Sequence, residues 1–153
     1  MFYTWVDDKE KLEEALGLLT SSSPALWGRM DAQQMVEHLI LLYDISNKKK
    51  ETPILTPEKY LYKSQAFLRS EELMPKNFVA KFLPIDPIPY TYTSLEEAIS
   101  KLFYSLDSFD SYWKGREEET LNHPVFGKLN KELWDRVHNK HIHHHFLQFA
   151  LIK

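Results

Sequence analysis

Six prolines between residues 53 and 89 constrain this chain most, because each removes a backbone donor and clashes with the turn before it. Pro53, Pro57, Pro75, Pro84, Pro87 and Pro89 make the stretch from Asn47 to Thr93 a long irregular crossover and confine the main helices to either side of it. Before it, Leu12, Ala15, Leu16 and Leu19 recur at helical spacing, with Asp7 and Asp8 at the positive end of the dipole, which predicts a helix from about Asp7 to Leu19. The run from Thr20 to Pro24 ends it. A second helix is predicted from Asp31 to about Ser46, opened by a capping box of Asp31 and Gln34 and buried along Met35, Val36, Leu39, Leu42 and Tyr43. Within the crossover, a short helix from Thr56 to about Leu73 is expected with Thr56 as cap and Pro57 in first position, and Asp86 to Tyr92 as extended chain. The third main helix starts at Ser94, with Glu97 completing a second capping box, and runs to near Gly115 along Ala98, Leu102, Leu106, Phe109 and Trp113. A loop from His123 to Gly127 leads to Asn130, the N-cap of a last amphipathic helix with Trp134, Val137, His141, His145 and Gln148 on one side. The pattern predicts an all-α fold, a four-helix bundle with a long crossover between its second and third main helices, forming a single domain over residues 1–153.

A chain of 153 residues should bury roughly two-thirds of its unfolded surface, and 43% hydrophobic with 14% aromatic residues is enough to fill that core. A net charge of −3 supplies no basic field, so nucleic acid is not the expected partner. With no cysteine, disulfides and protein thiolate nucleophiles are excluded, and any thiol chemistry would need an external thiol. The first residues show no basic region followed by an apolar stretch, and no run of about 18 apolar residues exists, so a soluble cytoplasmic protein without a membrane segment is expected.

Five of the seven histidines fall between His138 and His145. His141 and His145 are four apart and, at ~3.6 residues per turn, project from the same helix face. His38, beside Met35 and Leu42 on the apolar side of the second helix, points inward as well. Side chains from separate helices of a bundle converge on its axis without backbone distortion, so these three could share one ion. Three neutral imidazoles leave the ion its full charge and an open position for water or substrate; zinc is the default and nickel or another divalent ion also suits three nitrogens. A lone histidine on an apolar face is more often a hydrogen-bonded core residue, and His138 and His143 read as surface or supporting groups rather than ligands.

The segment Pro24-Ala25-Leu26-Trp27-Gly28-Arg29-Met30-Asp31-Ala32-Gln33-Gln34-Met35-Val36-Glu37-His38 resembles the entry to the metal-bearing second helix of the DinB/YfiT-like superfamily, and more narrowly its DUF1569 branch. The segments His123 to Gly127 and Lys140 to Phe149 are similar to that branch's final signature. The resemblance implies a divalent metal held by one histidine of the second helix and two of the last, here His38, His141 and His145. It also implies relatives that are thiol-dependent S-transferases and isomerases, using low-molecular-weight thiols such as bacillithiol or mycothiol. Two positions depart from the branch: His143 stands where an acidic residue is usual, and Ala150 where a glycine is common.

These readings combine into a metal-dependent enzyme, a thiol S-transferase or a hydrolase acting on a small electrophilic substrate. The alternative is a non-catalytic bundle that binds a small molecule or a partner and carries a vestigial or structural metal site. Gln34, His123, His144 and Gln148 are the polar groups expected to line the pocket or orient the ligands, while Glu37, about 100° around the helix from His38, is expected to face solvent. The sequence leaves the oligomeric state open, with a homodimer reasonable for its aromatic-rich helix surfaces.

Overall fold

The computed structural model describes residues 4–76 and 88–153. In order these form a 3-10 turn (Trp5–Asp7), α1 (Lys9–Leu16), α2 (Ala32–Ser46), α3 (Glu58–Arg69), α4 (Leu95–Trp113), β1 (Leu121–His123), β2 (Gly127–Leu129) and α5 (Lys131–Gln148). Among them no helix is long and apolar enough to cross a membrane.

Local chemistry sets most helix starts. Asp31 accepts from the Gln34 amide while Gln34 Oε1 accepts from the Asp31 amide, so the reciprocal cap expected for α2 is complete. Asn130 caps α5 through the Leu133 amide as expected. At α4 Ser94 caps the Glu97 amide, but the Glu97 carboxylate takes the Thr93 amide and hydroxyl instead of closing a box on Ser94. Asp8, not Asp7, caps α1, so that helix starts later than expected and stops at Gly17. At α3 the extended Pro57 occupies the cap position without a side-chain bond, and Leu55 and Thr56 donate their amides to the Pro124 carbonyl, so Thr56 belongs to the approach and not to the helix.

Two expectations are corrected in character. The fold is mostly helical and not purely so, because the loop around His123 is an antiparallel hairpin pairing Leu121 with Leu129 and His123 with Gly127. The His123 Nδ1 closes its turn by accepting the Val125 and Phe126 amides at 3.0 and 3.2 Å. The last helix is also not amphipathic: from Val137 to Phe146 every residue is buried, on all faces. It packs on α2, α3, the 3-10 turn and β2, and so runs through the middle of the molecule.

A helix this polar can be central only if its polar groups find partners. Asn139 Oδ1 accepts the Val6 amide at 3.0 Å, Lys140 Nζ donates to the Ser70 carbonyl at 2.9 Å, and Trp5 Nε1 donates to His143 Nδ1 at 3.4 Å. His138, expected at the surface or beside the ligands, is 1% exposed; it stacks on Tyr43 at 3.7 Å and pairs its Nε2 with Ser46 Oγ at 2.8 Å. His143 is likewise buried, against Trp5. The flanking helices and the N-terminal turn cover faces that periodicity alone assigns to solvent.

Of the extended piece expected from Asp86 to Tyr92, residues 86 and 87 lie outside the described residues; the rest is irregular chain docked on the start of α2. Glu37, expected in solvent, anchors it by accepting the Thr91 amide at 2.6 Å and the Tyr92 amide at 3.4 Å. Those loop amides lack helix partners, and a carboxylate at the right height on α2 satisfies them.

Candidate metal centre

His38 comes from the middle of α2, and His141 and His145 from the last two turns of α5. The three rings sit at mutual centroid distances of 4.7, 4.8 and 4.7 Å with interplanar angles of 68°, 82° and 77°, each edge-on to the other two. Their Nε2 atoms turn inward: His38 to His141 is 2.9 Å and His141 to His145 is 3.1 Å. Among the described residues these three histidines form a group whose ligand atoms all lie within 4.8 Å of one another.

Two nitrogens bound at ~2.1 Å to one ion stand about 3.0 Å apart at right angles and about 3.4 Å apart at the tetrahedral angle. The observed 2.9 and 3.1 Å match the first and need a few tenths of an ångström for the second. Hydrogen bonding among the rings is the competing explanation, and it requires an N–H in every contact. Gln148 restricts that. Its Nε2 donates to the Trp27 carbonyl at 2.9 Å, which has no proton to offer in return, so its Oε1 must be the atom facing His145 Nδ1 at 2.6 Å. Nδ1 of His145 therefore carries the proton, and the neutral ring directs a bare lone pair at the other two histidines. The donor set fits a divalent ion.

Charge works in the same direction. Burial holds His141 and His145 well below the ordinary histidine value, the neighbouring rings adding to it. Burial likewise lowers His38 to about 4, with His144 assisting. Three neutral imidazoles are what a metal requires of this ligand type.

The model of the family described as "Protein of unknown function (DUF1569)" matches residues 3–151. The chain belongs to the DUF1569 family. No curated protein and no solved structure matches it.

In this DUF1569 protein the residues named from sequence around the three histidines separate into different places. Gln148 touches the centre directly through His145. His144 lies edge-on to His145 at 4.9 Å and to Trp27 at 5.5 Å, and its ring hydrogen-bonds the Met74 backbone, so it lines the same region without joining the ligand group. Gln34 is occupied by the α2 cap and by the Ile88 carbonyl at 3.4 Å. His123 holds the hairpin turn and packs on Trp134 at 5.4 Å. Trp27 and the loop carrying it mark the family resemblance in the sequence without being expected at the site, although Trp27 supplies the carbonyl that orients Gln148. The available signal was a glycine, one of only four in the chain, directly after that tryptophan.

Proposed function

We propose that this DUF1569 protein is a metal-dependent enzyme of DinB/YfiT-like type, a four-helix bundle elaborated by α3 and the hairpin, which uses His38, His141 and His145 to hold one divalent ion and transfers a low-molecular-weight thiol, or water, to a small electrophile. The observation that carries this reading is the inward convergence of three neutral imidazole nitrogens from two helices. Zinc or nickel suits that donor set. When bound, such an ion supplies Lewis acidity that lowers the pKa of a thiol or water.

The chain's own residues do the rest. Gln148 holds His145 in the tautomer that offers Nε2. Burial keeps all three rings unprotonated. The ligand group contains three protein side chains among the described residues, where a closed structural site needs four, which favours chemistry over a purely structural ion.

The test is elemental analysis of protein purified without an affinity tag, followed by turnover with a panel of low-molecular-weight thiols and an alkylating electrophile. Near-stoichiometric metal, and thiol consumption that disappears on chelation and in His141→Ala, supports the enzyme. Metal without turnover of thiol or water leaves a binding bundle, and absence of metal removes the site altogether.

A further inference from the structure

Gly28 sits in the loop before α2 at φ +81°, in the left-handed region that favours glycine. A Cβ built there would lie 2.8 Å from Nε2 of Gln148, closer than real Cβ contacts allow. The same Gln148 amide spans two partners: Nε2 on the Trp27 carbonyl at 2.9 Å, Oε1 on His145 Nδ1 at 2.6 Å. The loop is further pinned to the end of α5 by the Leu26 amide on the Gln148 carbonyl at 2.8 Å. The Gln148 amide is the far end of a flexible side chain, so the fold can admit a methyl at position 28 by moving it. It cannot then keep both bonds.

We propose that Gly28 is a positioning residue for the metal centre. Its bare Cα lets the Trp27–Gly28 peptide close on the Gln148 amide. That closure orients the amide, the amide fixes the proton of His145 on Nδ1, and the fixed proton leaves the Nε2 lone pair aimed at His38 and His141. The inference rests on the reading of these three histidines as metal ligands only for its consequence in affinity; the chain from Gly28 to the His145 tautomer stands without an ion. A loop outside the ligand helices thereby sets how well the last helix binds, in the way that partners behind metal-ligating histidines generally do.

The test is a double-mutant cycle of Gly28→Ala and Gln148→Ala with two readouts. In metal-free protein, long-range proton–nitrogen spectra of the histidine rings should show the Nδ1–H tautomer at His145 in wild type and its loss in both single variants. In a chelator competition for Zn²⁺, each single variant should lose about 10–100-fold in affinity, the range for outer partners of a metal histidine. With Gln148 gone nothing crowds position 28, so the double variant should match Gln148→Ala within about twofold, the spread for sites with no further coupling. If Gly28 matters only for its own backbone, the losses multiply and Gly28→Ala keeps the wild-type tautomer, and either result overturns the proposal. If wild type binds no Zn²⁺, the metal reading fails while the tautomer still decides the role of Gly28.

Discussion

The Nε2 atoms of His38 and His141 face each other at 2.9 Å across 103 residues of chain. The contact exists because α2 and α5 pack against each other. A ring at position 38 out of reach of the C-terminal pair would have left no shared site.

Replacing any one of the three rings should therefore abolish the site. His38→Ala, His141→Ala and His145→Ala are each expected to weaken Zn²⁺ binding by more than about 100-fold, beyond the range for loss of an outer partner. Metal content of tag-free protein measures this, and wild-type stoichiometry in His38→Ala would remove α2 from the centre.

Ser46→Ala should separate a core histidine from a ligand histidine. It deprives the buried His138 Nε2 of its partner at 2.8 Å, which costs about 1–3 kcal/mol for an unsatisfied buried polar group. A lower urea midpoint with unchanged metal stoichiometry is the expected result. Loss of metal in this variant would mean that His138 takes part in the site after all.

Acid should destabilise the fold well above the carboxylate range. Burial lowers His123 to about 3 and His138 well below its ordinary value, against about 6.5 in the unfolded chain. Between those values the unfolded state binds protons that the native state does not, so stability is complete above pH ~6.5 and falls as pH drops toward the folded-state values. Each such histidine contributes a slope of at most about 1.4 kcal/mol per pH unit. Urea midpoints of chelated protein from pH 7.5 to pH 4.5 should fall steadily, and His123→Asn, which keeps an acceptor for the turn, should flatten the slope. A midpoint that stays constant over that interval contradicts the neutral burial of these rings.

Ala150→Gly should stabilise the protein. Ala150 has φ +54° just past the end of α5, where the Leu151 amide bonds the Phe146 carbonyl at 2.9 Å and the Ala150 amide bonds that of Leu147 at 3.1 Å. This two-bond ending places its left-handed residue where glycine is usual, and an alanine there carries roughly 1–2 kcal/mol of strain. A rise in Tm checks it. Because this turn holds Gln148, a change in Zn²⁺ affinity as well would tie the helix end to the centre.

What could be read in advance followed the range of the forces involved. The caps at Asp31 and Asn130, the helix interiors and the four-residue spacing of His141 and His145 are all local, and each appears in the structure. Gln148 was legible as a neighbour on the same helix side. The hairpin at His123 was missed because a side chain closing a turn onto its own ring leaves no periodic trace. Glu37 was misplaced because a helical wheel does not know that residues 91 and 92 will dock there.

From its residues alone this chain specifies which segments wind into helices, where α2, α4 and α5 begin, and that three imidazoles lie on inward-facing positions. The packed molecule alone specifies that α5 is enclosed on every side from Val137 to Phe146, that His138 belongs to the core, and that a loop glycine lies against the Gln148 amide that bonds His145. Helix signals act within a turn or two of backbone. Burial and ring-to-ring distance depend on which distant segments come to rest against each other, and that is settled only when the whole core closes.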